Sequence, residues 1–231
     1  MTSLEEILSN AKRAKLIPIM AESRKEERLV SILLSVLGVV RPFAAQLLEN
    51  CSVRVGKTSD LECYTEVNFP SDDESHTDRP DGVLRIASRN KVRWSALFEA
   101  KVDNAEIDEE QVIRYGEVAR KHGITAVFTL SNQLVPLPTH IPYSVPKRLS
   151  NRVEFYHISW TSIRTQAMLT LKDSEELSPE QRFILEEMVG YFEHSNSGVK
   201  RFDQMNKEWR PLVMGIRHGE RFQKSSTEIE N

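Results

Sequence analysis

Two short runs of alternating apolar and polar residues dominate the middle of this chain, at 82–88 and 92–102. A polar turn of Arg89, Asn90 and Lys91 separates them, and this combination is typical of an antiparallel hairpin. Period 2 places successive side chains on opposite faces, so each run presents one apolar face for burial. The sequence therefore predicts a sheet that includes this hairpin.

A helix and a further strand follow the hairpin directly. Residues 106–122 are predicted to form a helix that Asp103 or Asn104 caps and Gly123 ends. Residues 124–130 are rich in β-forming residues and predict a buried strand. Because a strand, a helix and a strand in this order form a parallel unit, the predicted fold class is α/β, with a central mixed β-sheet flanked by helices.

The rest of the chain adds helices on both sides of this unit. Apolar residues at three- and four-residue steps predict a helix from Arg24 to Leu37, with Ser23 as its cap. Thr161 is the predicted cap of another helix, which extends to Lys172. Further helices are predicted within 4–11, 43–48 and 179–194, strands over 60–69 and 153–159, and irregular structure over the proline-rich residues 134–152.

These elements divide the chain into four predicted segments. They are an N-terminal helical extension (1–21), a core (22–160), an added group of C-terminal helices (161–216) and a polar tail expected to be disordered (217–231).

Composition limits the function classes. The net charge is −3, which argues against a protein whose whole surface binds nucleic acid, although local phosphate contacts remain compatible with it. The longest apolar run is 29–40, much shorter than the roughly 20 residues of a membrane span, so we expect no membrane association. Two cysteines without metal-ligand spacing fit a reduced, cytoplasmic protein.

The hairpin carries three residues that suit phosphodiester chemistry. Glu99 and Lys101 share one face of the second strand, and Asp81 precedes the first strand. The hairpin can bring Asp81 to about 5 Å from Glu99, across one ladder spacing. Two carboxylates can hold a divalent cation through oxygen ligands, and a nearby lysine can orient or deprotonate a water. Taken singly, each of these residues is more often an ordinary turn or surface residue.

Two neighbouring helices contribute further candidates. Gln111 and Tyr115 stand four residues apart, one above the other, on the helix after the hairpin. Glu22 and Glu26 lie at the start of the apolar face of the earlier helix, and Glu27 lies at its edge. A carboxylate in that place is either a capping or ion-paired residue or a site residue, and position alone favours the first interpretation.

The order of these residues along the elements resembles the PD-(D/E)XK nuclease superfamily, whose fold is that of many restriction endonucleases. The matching positions are Pro80-Asp81 and Glu99-Ala100-Lys101. The Gln111 and Tyr115 helix is similar to that of the lambda-exonuclease and RecB-like branch. The resemblance covers about 22–160. It implies a restriction-endonuclease-like core with extra C-terminal helices.

The resemblance also implies a reaction and a role for each residue. The reaction is Mg²⁺-dependent hydrolysis of DNA phosphodiester bonds by a metal-activated water, with Mn²⁺ as a substitute and restriction or defence against foreign DNA as a biological setting. The implied metal ligands are Asp81, Glu99 and the carbonyl of Ala100. Lys101 would position the attacking water, Glu26 would serve a second metal or a water shell, and Gln111 and Tyr115 would contact DNA or the water.

Basic residues near these positions extend the hypothesis to the DNA backbone. Arg85 on the hairpin and Arg114 on the following helix are candidate phosphate contacts, although a solvated charged hairpin explains Arg85 equally well. Phe155, Tyr156 and Trp160 can stack on bases, but core packing is the more frequent use of such residues.

Two other functions are compatible with the same residues. One is a catalytically silent module that uses the nuclease fold to bind nucleic acid or a protein partner. The other is a sensor domain that binds a nucleotide or RNA beside residues 134–152. The C-terminal helices suggest a homodimer contact or a partner surface.

Overall fold

A six-stranded mixed sheet lies at the centre of the computed structural model, which describes residues 3–18, 20–21, 23–70, 77–89 and 91–200. In chain order, the strands of this described part are β1 (Lys12–Arg13), β2 (Asp60–Thr65), β3 (Phe69–Pro70), β4 (Thr77–Asp78), β5 (Gly82–Ser88), β6 (Lys91–Ala100), β7 (Ala126–Ser131) and β8 (Glu154–Ser159). The sheet order is β1-β2-β5-β6-β7-β8, and β3 pairs with β4 separately.

The sheet changes from antiparallel to parallel at β6. Strands β5 and β6 form the predicted hairpin, in which Ser88 pairs with Lys91 across a tight turn. Strand β7 runs parallel to β6, and β8 runs parallel to β7, because helices or long loops return the chain to the same end of the sheet. The predicted α/β class, with a mixed central sheet flanked by helices, is confirmed.

Helices cover both faces of the sheet. In the described residues they are α1 (Leu4–Ser9), α2 (Lys25–Val39), α3 (Arg41–Glu49), α4 (Glu109–His122), α5 (Lys147–Ser150), α6 (Trp160–Asp173) and α7 (Pro179–Glu193). Helices α2, α3, α6 and α7 share one apolar core with alternate residues of the central strands. Helices α1 and α4 share a second core with the intervening strand residues. The alternation of the strands therefore builds two layers of core, one on each face.

Gly82 sets how closely α2 approaches the sheet. A Cβ at this position would lie 2.4 Å from Leu34 Cδ1 and 2.8 Å from Val30 Cγ1, both on α2. Only a residue without a side chain leaves room for this contact. Since Asp81 is the preceding residue, the same glycine brings the start of α2 towards the predicted site.

Several predicted boundaries are wrong. Strand β2 ends at Thr65 rather than at residue 69, because Glu66 has a φ of 55° that no strand accommodates. Strand β6 ends at Ala100 rather than at residue 102, and the chain turns at Asp103, with a φ of 53°.

Three predicted helix caps are also wrong. Helix α2 has Arg24 as its N-cap, without a side-chain hydrogen bond, rather than Ser23. Asp108, not Asp103 or Asn104, caps α4, and its Oδ1 accepts a hydrogen bond from the backbone N–H of Glu110 at 3.0 Å. Ser159 rather than Thr161 caps α6. In each case the backbone enters the helix at a different residue from the one that sequence preference selects.

The first C-terminal helices belong to the main core of the protein. Helices α6 and α7 pack in the same core as α2. The predicted tail at 217–231 and the candidate Glu22 lie outside the described residues. Within the described part, no single helix is long and apolar enough to cross a membrane, and the pair that reaches this length and composition together, α2 with α3, is bent by 110°.

Candidate active site

Asp81 lies at the entrance to β5 and reaches across to the end of β6. The pairing of Gly82 with Phe98, continued by one residue, places Asp81 opposite Glu99. Its Oδ2 accepts a hydrogen bond of 2.8 Å from the backbone N–H of Ala100. Because the N–H and the C=O of a strand residue point to the same edge, the Ala100 carbonyl faces this side as well. The structure thus brings together the three groups that the sequence suggested as metal ligands.

Glu99 and Lys101 form an ion pair on the face of the sheet that α4 covers. The Nζ atom of Lys101 lies 2.6 Å from Glu99 Oε1, and the Glu99 side chain is only 4% exposed. Lys101 also donates a long hydrogen bond, of 3.4 Å, to Gln111 Oε1. The lysine therefore connects the strand carboxylate to the helix above it.

Gln111 and Tyr115 extend this connection along α4. Gln111 Nε2 donates a hydrogen bond of 3.0 Å to the hydroxyl of Tyr115, which is buried. The hydroxyl of Tyr115 donates a hydrogen bond of 3.0 Å to the carbonyl of Arg79. Gln111, Tyr115, Glu99 and Lys101 therefore belong to one hydrogen-bonded chain.

Glu26 approaches the same strand end from α2. It is the second residue of that helix, it is half-buried, and it forms a hydrogen bond with the backbone of Val102. Glu27 instead forms an ion pair with Arg24, whose Nη2 lies 2.8 Å from Glu27 Oε1. Glu26 therefore acts on Lys101, whereas the charge of Glu27 is one of the lesser causes that raise the pKa of Asp81, after burial and Glu99.

A small cavity opens beside Asp81. Its volume is about 70 Å³, enough for a few water molecules. Charged and polar residues form much of its wall, and the lining residues that sequence patterns did not single out are Met20, Arg24, Thr65, Glu66 and Arg79. No periodicity or motif marks these positions, because they come from separate segments that only the fold brings together.

Excess negative charge determines the electrostatics of the site. Burial raises the pKa of the Asp81 carboxyl well above its usual value, and the charge of Glu99 raises it further, whereas the N–H of Ala100 lowers it. Burial also raises the pKa of Glu99, in spite of the opposing effect of Lys101. Glu26 follows the same pattern, since burial raises its pKa and Lys101 and Val102 oppose the rise.

The surroundings favour the charged form of Lys101, whereas they disfavour the charged forms of the carboxyls. Burial by itself lowers the pKa of an ammonium, but the surrounding carboxylates, with Glu99 the strongest, produce a net rise. Lys101 is therefore a firmly protonated cation at neutral pH. It can donate hydrogen bonds and stabilise negative charge, but in this state it does not accept a proton from water.

The two predicted phosphate contacts lie in different environments. Arg85 is buried and forms ion pairs with Glu5, at 2.6 Å, and Glu62, at 3.5 Å. Arg114 is exposed on α4, and its Nε lies 4.0 Å from Asp78 Oδ1. These contacts engage Arg85 in the structure of the sheet and leave Arg114 as the more accessible of the two.

The three aromatic candidates for base stacking are buried. Phe155, Tyr156 and Trp160 are at most 9% exposed. Each belongs to one of the two apolar cores, in agreement with the packing interpretation of the sequence.

The side chains of the site can supply only a small number of ligands to Mg²⁺. In the part of the chain that the structure describes, no group of three or more His, Cys, Asp or Glu side chains is placed to hold a metal ion. Mg²⁺, however, commonly binds one or two carboxylates and keeps its other positions for waters and substrate phosphates. Asp81 and Glu99, with the carbonyl of Ala100, fit that pattern. Burial, and to a lesser extent neighbouring carboxylates, raises the pKa of both groups, and a bound cation would offset this cost of their negative charge.

Comparison with known proteins adds no family assignment. No protein-family model matches this sequence, and no curated protein is significantly similar to it.

Proposed function

We propose that this protein is a Mg²⁺-dependent nuclease that hydrolyses DNA phosphodiester bonds. The observation that carries the proposal is the convergence of Asp81, Glu99 and a protonated Lys101 at one end of β5 and β6. The resemblance to PD-(D/E)XK nucleases supports it, since the same three residues occupy the motif positions.

Asp81, Glu99 and the Ala100 carbonyl would hold the cation. When bound, a divalent cation supplies a Lewis acid and lowers the pKa of water. The two carboxylates serve this purpose because they are close, poorly solvated and incompletely neutralised by Lys101.

Lys101 stabilises charge on the scissile phosphate. Its ammonium has three protons to donate, and its pairing with Glu99 and Gln111 fixes its direction. A preorganised cation in a poorly solvated site stabilises developing negative charge more strongly than water does. Since its pKa is raised, Lys101 acts as a hydrogen-bond donor to the phosphate or to the attacking water rather than as the general base.

Gln111 and Tyr115 keep Lys101 and Glu99 in place. The hydroxyl of Tyr115 links α4 to the backbone before Asp81, so the helix and both strand ends form one unit. Arg114, one turn of the same helix away from Gln111 and exposed, is the predicted contact with the DNA backbone.

Matched substitutions test this proposal. Linear and supercoiled DNA are incubated with Mg²⁺, Mn²⁺ or EDTA and the wild type, Asp81→Asn, Glu99→Gln or Lys101→Met. We expect metal-dependent cleavage by the wild type and a loss of about 10³-fold or more in each variant, because each removes a charge that acts directly on the reaction. Asp108→Asn is the control, since asparagine also caps helices and should leave cleavage unchanged.

A second candidate is a catalytically silent module with the same fold, which binds nucleic acid or a protein partner. The observation in its favour is that the described residues hold no group of three or more potential metal ligands. The absence of cleavage by the wild type, together with no Mn²⁺ binding in a calorimetric titration, would replace the nuclease with this module. Cleavage that survives all three substitutions would show that the site is assigned to the wrong residues.

A further inference from the structure

The backbone of Lys101 is held by two hydrogen bonds of different origin. Lys101 lies one residue beyond β6, and its N–H donates to the carbonyl of Leu130 at 2.8 Å, as in the parallel ladder. Its carbonyl accepts a hydrogen bond of 2.9 Å from Nε1 of Trp160, the first residue of α6. The direction in which the lysine side chain leaves the backbone therefore depends on an indole from the C-terminal helices.

The peptide group between Lys101 and Val102 has a polar neighbour on each side. Trp160 donates a hydrogen bond to its carbonyl. The N–H of Val102 faces Glu26 and opposes the rise in the pKa of that carboxyl. In a trans peptide these two groups point in opposite directions, so the bond from Trp160 helps to fix the orientation of the peptide plane.

Trp160 is itself rigidly placed. It is fully buried and packs edge-to-face against Phe192 of α7, with ring centroids 5.5 Å apart and an interplanar angle of 83°. Trp94 has an almost identical ring contact with Phe128, at 5.8 Å and 84°. The Nε1 atom of Trp94 is also buried, but it has no hydrogen-bond partner among the described residues. Trp94 as a residue is half-buried, whereas Trp160 is fully buried, so the two tryptophans share the type of ring contact and differ in burial and in the hydrogen bond to Lys101.

Gly198, which follows α7, is hydrogen-bonded to the turn at Asp103. The carbonyl of Gly198 accepts hydrogen bonds of 2.9 Å from the N–H of Asp103 and of 2.9 Å from Nδ2 of Asn132. Gly198 has a φ of 81°, and a Cβ there would lie 2.9 Å from Cβ of Val102. The residues that follow Lys101 are therefore fixed from the C-terminal side as well.

We propose that Trp160 is a positioning residue for Lys101, and that α6 and α7 are consequently part of the active-site support rather than a separable addition. Removal of the indole N–H leaves the buried carbonyl of Lys101 without its donor and frees the peptide plane to rotate. Small displacements of a charge-stabilising group have large effects on rate. The kinetic part of this inference rests on the proposed nuclease function, but the structural part does not.

The test compares Trp160→Phe with Trp94→Phe in the full-length protein. Both changes keep a ring for the edge-to-face contact, but only the first removes a hydrogen bond to Lys101. For Trp160→Phe we expect kcat for DNA cleavage to fall about 10- to 100-fold with little change in KM. We also expect the ¹⁵N-relaxation order parameter of the Lys101 ammonium to fall, whereas Trp94→Phe should match the wild type in both measurements.

The two measurements separate the two hypotheses. If the wild type does not cleave DNA, the nuclease proposal fails, and the order parameter alone decides whether Trp160 positions Lys101. If Trp160→Phe keeps the wild-type kcat and order parameter, the inference is overturned. Should Trp160→Phe fail to fold, Phe192→Leu keeps the indole N–H but removes the edge-to-face contact that places the Trp160 ring. It should lower both quantities to a smaller extent, and unchanged values would overturn the inference in the same way.

Discussion

Two buried polar clusters lie side by side on the face of the sheet that α4 covers, and they are balanced in different ways. Strand pairing aligns Glu99 with Thr129 and Thr129 with His157. In the cluster of Glu99, three carboxylates with raised pKa values surround a single ammonium. In the neighbouring cluster the residues are neutral and satisfy one another.

In the neutral cluster, buried polar groups are hydrogen-bonded to one another. Thr129 Oγ1 lies 2.9 Å from His157 Nδ1 and 3.0 Å from the hydroxyl of Tyr143. His157 Nε2 lies 3.0 Å from the carbonyl of Gln133. These contacts tie the proline-rich loop to β7 and β8 without leaving a charge. Burial of polar groups on this face of the sheet therefore does not require a charge imbalance like the one around Glu99, and this supports a chemical role for those carboxylates.

The largest expected effect on stability belongs to the neutral cluster. His157→Leu removes the ring nitrogens that contact the hydroxyl of Thr129 and the carbonyl of Gln133, and we expect the free energy of unfolding to fall by about 2 kcal/mol. Urea titrations at pH 7.5 measure this loss. DNA cleavage by the folded variant should remain near the wild-type level, because the histidine does not contact the proposed site residues. If the folded variant lost cleavage as strongly as the site variants, the neutral cluster would also have to be assigned a role in catalysis.

The same variant tests the pH dependence of stability. Burial lowers the pKa of His157 below its ordinary value of 6.5, so between these two values the unfolded chain binds more protons than the folded protein. The contribution of His157 is therefore complete above pH 6.5 and is lost as the pH falls below that value. Titrations between pH 5.5 and 7.5 should show a shallower slope for His157→Leu. His122, whose pKa burial also lowers, is present in both proteins and cancels in the difference.

The next expected effect separates two tyrosine hydroxyls, one from each cluster. Tyr115→Phe and Tyr143→Phe each remove one buried hydrogen-bonding group, and each should lower stability by about 1 kcal/mol. Only Tyr115→Phe should reduce kcat for DNA cleavage, by about tenfold, because its hydroxyl orders Gln111, the partner of Lys101. Steady-state kinetics on both variants measures the difference. Equal kcat values would place Tyr115 among the structural residues.

The smallest expected effect is a gain in stability. In metal-free buffer at pH 7, Asp81→Asn removes a poorly solvated charge while keeping an oxygen for the N–H of Ala100. We expect an increase of about 1 kcal/mol, equivalent to a rise in Tm of about 2–4 °C for a protein of this size, measured by calorimetry. Unchanged or lower stability at pH 7 would indicate that the Asp81 charge is well compensated in the fold.

The sign of this effect depends on pH. Because the pKa of Asp81 is raised in the folded protein, its ionisation destabilises the fold above its ordinary value of 3.8, increasingly up to the folded pKa. Protonated Asp81 resembles asparagine, so the advantage of the variant should disappear as the pH falls to about that ordinary value. An advantage that persists in acid would require another explanation than charge.

Sequence patterns predicted the elements better than their ends. Alternation located β5 within 82–88, and helical periodicity with Gly123 located the end of α4. The predicted caps of α4 and α6 were wrong, because several polar residues near each start can accept the same backbone N–H groups, and α2 begins at Arg24 without a side-chain cap. Tertiary contacts decide which of them does so.

The candidate site shows the same division. The spacing of Glu99 and Lys101 on β6, and of Gln111 and Tyr115 on α4, is local and can be read from the sequence. The pairing of Arg85 with Glu5, residues 80 positions apart, is not local, and it places Arg85 in the sheet rather than at the site. The different surroundings of Glu26, beside Val102, and of Glu27, which pairs with Arg24, likewise depend on the position of α2.

By itself, the sequence determined the α/β class, the hairpin and the set of residues with suitable chemistry, because periodicity and spacing are properties of short segments. The tertiary structure alone decided which charges remain uncompensated and which backbone groups hold Lys101. Trp160 illustrates the reason. Its hydrogen bond joins residues 59 positions apart, and no pattern in the sequence records that an indole N–H and a strand-end carbonyl meet in the core.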